Sequence, residues 1–384
     1  MKKKLIAVAV AGALGVPGVA LAQASTVQIY GTLILNYNYL DSGAGKPNVD
    51  MFNAHDTNIG FKGEEALGGG TSAWFQCEST MDVSGQGSAN GSAAWCGRNS
   101  AFGMKGGFGN VYAGIWDTPM KQTMANFRPY STSGAFGMGG LLWNEAGSNI
   151  GNGGTGAASF TRRQNNLWSY NSPNMGGFEV KGAFSATNEA TAQTNASTVQ
   201  KARLWGLSAQ YTNGPLIVGG GWEKHNDYNV AAQTNYRGGN DRAFSGGVAY
   251  TFMGKLKASL MYVDMAYGLA AGQDLRQKSY AAHIDWAIAG PNRVRAGWTH
   301  ARDTSGNFVG AVNQFVGNNG AGGTSANLYT VQYAYAFSKR TELNFGYARV
   351  DNSSNARYRL QTLGPSGLPG ENQSAWVLGT KHSF

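Results

Sequence analysis

Apolar and polar residues trade places at every second position along segment after segment of this chain. In the closing segment Trp376, Leu378, Thr380, His382 and Phe384 share one face, while Ala375, Gly379, Lys381 and Ser383 fall largely on the other. Near the beginning, Val27, Ile29, Leu33, Leu35, Tyr37 and Tyr39 oppose Gln28, Thr32, Asn36 and Asn38. The same alternation runs through 244–252, 280–288, 329–337 and 343–347. A side-chain period of two belongs to a β-strand whose two faces meet different surroundings. Composition agrees: 57 glycines, 18 tyrosines, 17 phenylalanines and 10 tryptophans stand against 9 prolines and 13% charged residues, which favours strands and turns over helices. Beyond the N-terminal stretch no segment holds the eighteen consecutive apolar residues of a membrane-spanning helix.

The N-terminus carries an export signal. Lys2, Lys3 and Lys4 precede an apolar run at 5–19, and Ala20-Leu21-Ala22 has the small-x-small form of a cleavage site. The cut is placed after Ala22, and Ala22-Gln23-Ala24 offers a second frame. Removing residues 1–22 from 384 leaves a 362-residue domain, 23–384, and loss of three lysines takes the net charge from +9 to +6. Cys77 and Cys96 then reach an oxidising compartment, where a bridge between them closes a loop across one hairpin; the alternative is two unpaired small residues.

Seven short, turn-forming connections punctuate the strands: 65–70, 106–109, 173–177, Asn213-Gly214, Met253-Gly254, Gly290-Pro291 and Ser338-Lys339. Eight longer polar stretches separate them, at 41–55, 81–97, 117–163, 187–201, 225–241, 267–277, 303–325 and 352–373. Seven turns and eight loops join sixteen strands. A soluble β-sandwich also alternates, but long loops at one end and short turns at the other are the habit of a membrane barrel. Aromatic residues near strand ends (Tyr30, Tyr37, Tyr39, Trp205, Tyr211, Trp222, Tyr250, Phe252, Trp286, Trp298, Tyr329 and Phe337) suit girdles at two lipid interfaces. The expected fold is all-β: a transmembrane up-and-down antiparallel β-barrel of sixteen strands. A closed barrel satisfies every backbone polar group, as lipid demands. The longest loop, 117–163, contains Ala135-Phe136-Gly137-Met138-Gly139-Gly140 and Leu141-Leu142-Trp143, small and apolar residues suited to packing against an inner wall.

Several segments resemble a known family. They are 27–31 (VQIYG), 59–65 (IGFKGEE) with 67–70 (LGGG), 74–78 (WFQCE), 98–109, 165–173 (NNLWSYNSP) and the closing 379–384 (GTKHSF). In this order they resemble the Gram-negative general porins of β-proteobacterial type, and the likeness spans the whole mature chain. The resemblance implies an outer-membrane homotrimer among lipid and lipopolysaccharide, passing small hydrophilic solutes, with the third loop folded inward as a constriction. It implies wall arginines opposite that loop, at Arg98 and at Arg163 or its neighbour Arg162. A third such position reads Asn58, the fifth strand ends Gly114-Ile115 rather than Gly-Arg, and the position of an acid on the inserted loop reads Ala135. The loop's acids are Asp117 and Glu145, with Lys121 and Arg128 between them. Basic residues outnumber these acids, so a weak preference for anions is expected. Phe136, Gly137 and Gly139 are expected to seat the loop. Trp376, Leu378 and the terminal Phe384 resemble the signal read by barrel-assembly machinery.

Other chemistry finds little support. The G-x-G-x-x-G at 151–156 sits in a Gly/Asn loop without the flanking strand and helix that a dinucleotide needs. His55, His225, His283, His300 and His382 are scattered without metal-ligand spacing. Neither a cofactor nor a nucleic-acid partner is expected, because the basic residues are dispersed and the chain is exported. A barrel enzyme of lipase or protease type, a substrate-specific channel and an adhesin are the competing readings.

Overall fold

The computed structural model describes residues 27–43, 46–84, 95–131, 133–145, 159–186, 202–226, 240–269, 272–312, 315–317, 322–360 and 368–384. The expected signal peptide at 1–22, both cleavage frames and the 151–156 segment lie outside them.

Sixteen antiparallel strands form one closed barrel. They are β1 (Gln28–Asp41), β2 (Asn58–Gly68), β3 (Thr71–Thr80), β4 (Ser100–Gly106), β5 (Gly109–Asp117), β6 (Arg163–Asn171), β7 (Phe178–Ala186) and β8 (Arg203–Asn213). There follow β9 (Leu216–Asn226), β10 (Asn240–Phe252), β11 (Leu256–Gly268), β12 (Asp274–Ala289), β13 (Asn292–Ala301), β14 (Ala326–Ala336), β15 (Thr341–Asn352) and β16 (Gln373–Ser383). Each strand pairs with its neighbours in sequence. The ring closes because β1 also pairs with β16, from Thr32↔Ser383 to Asp41↔Ser374. All seven short turns fall between the strands expected. The Met253–Gly254 turn places both central residues at positive φ, 49° and 67°, which matches the twist of a tight hairpin.

The alternation becomes a division between outside and inside. Trp205, Trp222, Phe244, Tyr250, Phe252, Trp286 and Trp376 are exposed on the outer face, where lipid rather than water meets them. Their neighbours Ser208, Ser245, Ser259, Gln332 and Asn344 turn inward. Tyr30 corrects the expected girdle: its hydroxyl donates to Glu78 at 3.1 Å on the inner wall, because Tyr30 shares the parity of Thr32 and Asn36 rather than that of Ile29. Two expected loops also shrink. Val49–Asn53 forms a short strand paired with β1, and β11 and β12 stay in register to Gly268↔Asp274, so 267–277 is mostly strand. In both places backbone pairing continues past the aromatic band, which residue polarity alone does not reveal.

Candidate functional site: a charged constriction

After β5 the chain turns into the barrel. Helix α1 (Pro119–Met124) and a single 3-10 turn (Ala125–Phe127) lie on the inner wall, and helix α2 (Gly139–Trp143) follows. Pro119, Met120, Thr123 and Met124 are buried toward the wall. The wall accommodates them with glycine. A Cβ on Gly221 would stand 2.8 Å from Met120, and one on Gly247 would stand 2.6 Å from the Phe127 ring. Hydrogen bonds fix the register: the Thr123 hydroxyl donates to Ser208 at 2.8 Å, Lys257 Nζ to the Asn126 carbonyl at 2.6 Å, and the Ser259 hydroxyl to the Phe127 carbonyl at 2.6 Å. Beyond α2's start, Trp143 Nε1 donates to Ser245 at 3.0 Å and the Ser279 hydroxyl to the Leu141 carbonyl at 2.7 Å. Fully burying each large apolar residue of this segment contributes about 2 kcal/mol.

Residues 128–131 and 133–136 then lie toward the opposite wall. Tyr130 stacks on Phe136 with ring centroids 5.3 Å apart, and Phe136 rests against Gly346 of β15. The Ser131 hydroxyl donates to Asp56, and Gly134 lies against His55. Phe136, Gly137 and Gly139 are buried among these contacts.

The charges beside this crossing come from distant parts of the chain. Arg98 Nε donates to Glu78 Oε1 at 2.6 Å. Lys121 Nζ lies 3.1 Å from Asp117 Oδ1, and Arg163 Nη2 lies 3.5 Å from the same oxygen. Asn99 bridges this pair, accepting from Arg163 Nε at 2.8 Å and donating to Asp117 Oδ2 at 3.0 Å. Arg128 donates to the Tyr130 carbonyl at 3.1 Å. Burial opposes ionisation of Asp56, but His55, Arg98, the Ser131 hydroxyl and Lys121 outweigh it and hold its carboxyl below the usual carboxylate range. Cys77 and Cys96 are joined by a disulfide, with Cα atoms 4.7 Å apart, just before Arg98. The Arg98 amide donates to the Glu78 carbonyl at 2.9 Å, so the bridged loop is held to β3 where the guanidinium is needed.

The structure thus brings Arg98, Lys121, Arg128 and Arg163 together. It separates Arg162 from them. That side chain is fully buried behind the inserted segment, near His225 and Asp241, and does not line an aqueous passage. The expected positive excess also changes. Asp56 and Glu78 join Asp117 and Glu145, so four acids face four cations. Inward parity with Trp74 and Gln76 marks Glu78 as a lumen residue in the sequence. Asp56 sits in a loop at φ 61°, where no periodicity announces its direction.

A model of the Gram-negative porin family matches residues 7–355. Outer membrane porin protein 32 of Delftia acidovorans is 28% identical over an alignment covering 100% of both chains. An outer membrane porin protein of Bordetella pertussis is 26% identical, also over 100% of both. Among solved structures, the anion-selective porin from Comamonas acidovorans superposes with a TM-score of 0.71 at 20% identity, covering 94% of this chain and 100% of its own.

Proposed function

The chain belongs to the Gram-negative porin family, and from that premise we propose that its inserted segment is the constriction of a passive channel with a weak preference for anions. A porin is a water-filled outer-membrane channel. The observation that carries the constriction itself is the crossing of the lumen by residues 128–131 and 133–136 beside the ion pairs of Arg98, Lys121 and Arg163. A low-dielectric wall concentrates the field of such charges on a passing ion. The mature net charge of +6 and the anion selectivity named for the Comamonas structure favour the same sign. The barrel acts by conduction rather than catalysis, so the purified protein in a planar bilayer is expected to pass ions continuously. A reversal potential in a salt gradient is expected to show anions favoured, and Arg98→Ala, which leaves Glu78 without its ion pair, is expected to reduce that preference. A clear cation preference in the unaltered protein rules the reading out.

The working form is proposed to be a homotrimer in a lipid and lipopolysaccharide membrane, passing small hydrophilic solutes. An outward basic group supports the glycolipid contact. Arg203, Lys224 and Arg242 lie on the outer face at the long-loop end of β8, β9 and β10, with Lys224 directly opposite Arg242 and Trp205. Phosphate groups of lipopolysaccharide suit such cations. Native mass spectrometry of the detergent-extracted protein is expected to find three chains with bound glycolipid, and Lys224→Glu/Arg242→Glu is expected to lose the glycolipid while keeping three chains. Retention of the full glycolipid load by that variant removes these residues from the contact. The C-terminal strand, with Trp376, Leu378 and Phe384 outward, is proposed as the element that assembly machinery reads.

A further inference from the structure

Charge on the inner wall is divided unequally between the constriction and the end bearing the short turns. At the constriction four cations meet four acids, and Arg98, Lys121 and Arg163 are already in ion pairs. At the short-turn end, strand parity turns seven cations inward: Lys62, Lys105, Lys181, Lys257, Arg293, Arg295 and Lys381. Four acids accompany them: Glu64, Glu179, Asp285 and Glu342. The excess there is seven less four, or three.

Pairing sharpens the contrast. Lys105 binds Glu64 at 2.6 Å, Arg293 binds Asp285 at 2.9 Å, and Arg295 binds Glu342 at 2.9 Å. Lys62, Lys181, Lys257 and Lys381 form no ion pair among the described residues. Lys62 Nζ stands 5.1 Å from the Tyr30 ring centroid, and Lys257 Nζ is hydrogen-bonded to a carbonyl. Lys381 lies opposite Glu342, whose carboxylate is already engaged by both Nη atoms of Arg295. Lys181, opposite Asn171 and Ser208, feels the more distant Glu179 but pairs with no acid among the described residues.

We propose that this short-turn vestibule, rather than the constriction, sets the sign of ion preference by gathering small anions around Lys62, Lys181 and Lys381. The proposal rests on the anion reading above and locates its cause. An ion pair presents a dipole whose field dies quickly, whereas an unpaired charge acts over a Debye length of about 8 Å at physiological salt. Three uncompensated charges at one mouth therefore outweigh a balanced cluster at the waist. They also make the channel electrically lopsided, so current in dilute symmetrical salt flows more easily in one direction. At 1 M salt, with screening near 3 Å, that asymmetry is expected to vanish.

The test neutralises the three lysines that make no hydrogen bond among the described residues. Lys62→Gln/Lys181→Gln/Lys381→Gln reduces seven cations to four against four acids. The anion-to-cation permeability ratio is expected to fall about twofold, to near unity, and rectification in dilute salt is expected to disappear. The corresponding triple arginine variant keeps the charge and is expected to keep both properties. Heat resistance of the folded form on gels monitors the fold. An unaltered protein that prefers anions, paired with a glutamine variant of unchanged ratio, overturns the vestibule proposal and leaves the anion reading standing. Loss of the preference in the arginine variant as well also overturns it, since charge is then not the cause. An unaltered protein without anion preference removes the reading and the proposal together.

Discussion

Arg162→Ala is expected to cost about 1–3 kcal/mol and to turn a quiet channel into a fluctuating one. The guanidinium has no exposure to solvent, and neither do Glu223, His225 and Asp241 around it. His225 Nε2 and Glu223 Oε1 lie 2.7 Å apart, and Phe160 stacks on the imidazole with centroids 4.6 Å apart. This cluster occupies the space between the wall and the root of the inserted segment. The Arg162 carbonyl accepts from the Thr118 amide at 3.1 Å, and the Phe160 amide donates to the Trp143 carbonyl at 3.2 Å, tying both limbs of the segment together. Removing the guanidinium leaves a void among fully buried polar groups and takes from Asp241 a positive charge that acts on it, and water or rearrangement must compensate. The looser root then transmits its motion to residues 128–136. Unfolding midpoints in detergent and single-channel recordings check the two halves of this expectation. A variant within about 0.5 kcal/mol of the parent, as ordinary surface substitutions are, with steady current, shows that the cluster does not depend on Arg162.

Arg162 and Arg163 also show where sequence reading stops. The barrel was legible because lipid and water impose one rule on every strand. Along β10, for example, Phe244, Val248 and Tyr250 can face only outward once Ser245 and Ala249 face inward. Turns were legible for a similar reason, since few residues tolerate the backbone of a two-residue reversal. At the start of β6 no such rule yet applies. Consecutive arginines leave the irregular loop end in opposite directions, Arg163 toward Asn99 and Asp117 and Arg162 toward the wall. The partners of the constriction are equally hard to foresee. Ser131 and Asp56 are 75 residues apart, and Arg163 and Asn99 are 64 apart. Pairing of β4, β5 and β6 brings the second pair together, and the inward fold of the third loop brings the first. Resemblance supplied Arg98 and a choice between Arg163 and Arg162, but counting acids on the inserted loop alone omitted Asp56 and Glu78 on the wall, and the predicted positive waist became a balanced one.

Deleting Phe384 is expected to abolish most of the assembled protein in cells while leaving the conductance of surviving channels unchanged. The last residue completes the seam of the cylinder. Its amide donates to the Gly31 carbonyl at 3.1 Å, and the Gly31 amide donates to its carbonyl at 3.2 Å. The ring covers Gly31, where a Cβ would stand 2.5 Å from it. Losing two hydrogen bonds of about 1 kcal/mol each weakens a barrel already folded, but not enough to dissolve it. A large loss in cells therefore points to a step before closure, at which the terminal aromatic is read. Gly31→Ala separates the two causes. It strains the same seam, against both the Phe384 ring and the Asn58 carbonyl at 2.6 Å, yet keeps the terminus. Recognition by assembly machinery requires the deletion to be the worse variant in cells, although both refold in detergent with comparable yield. Equal defects in cells would assign Phe384 to the seam alone.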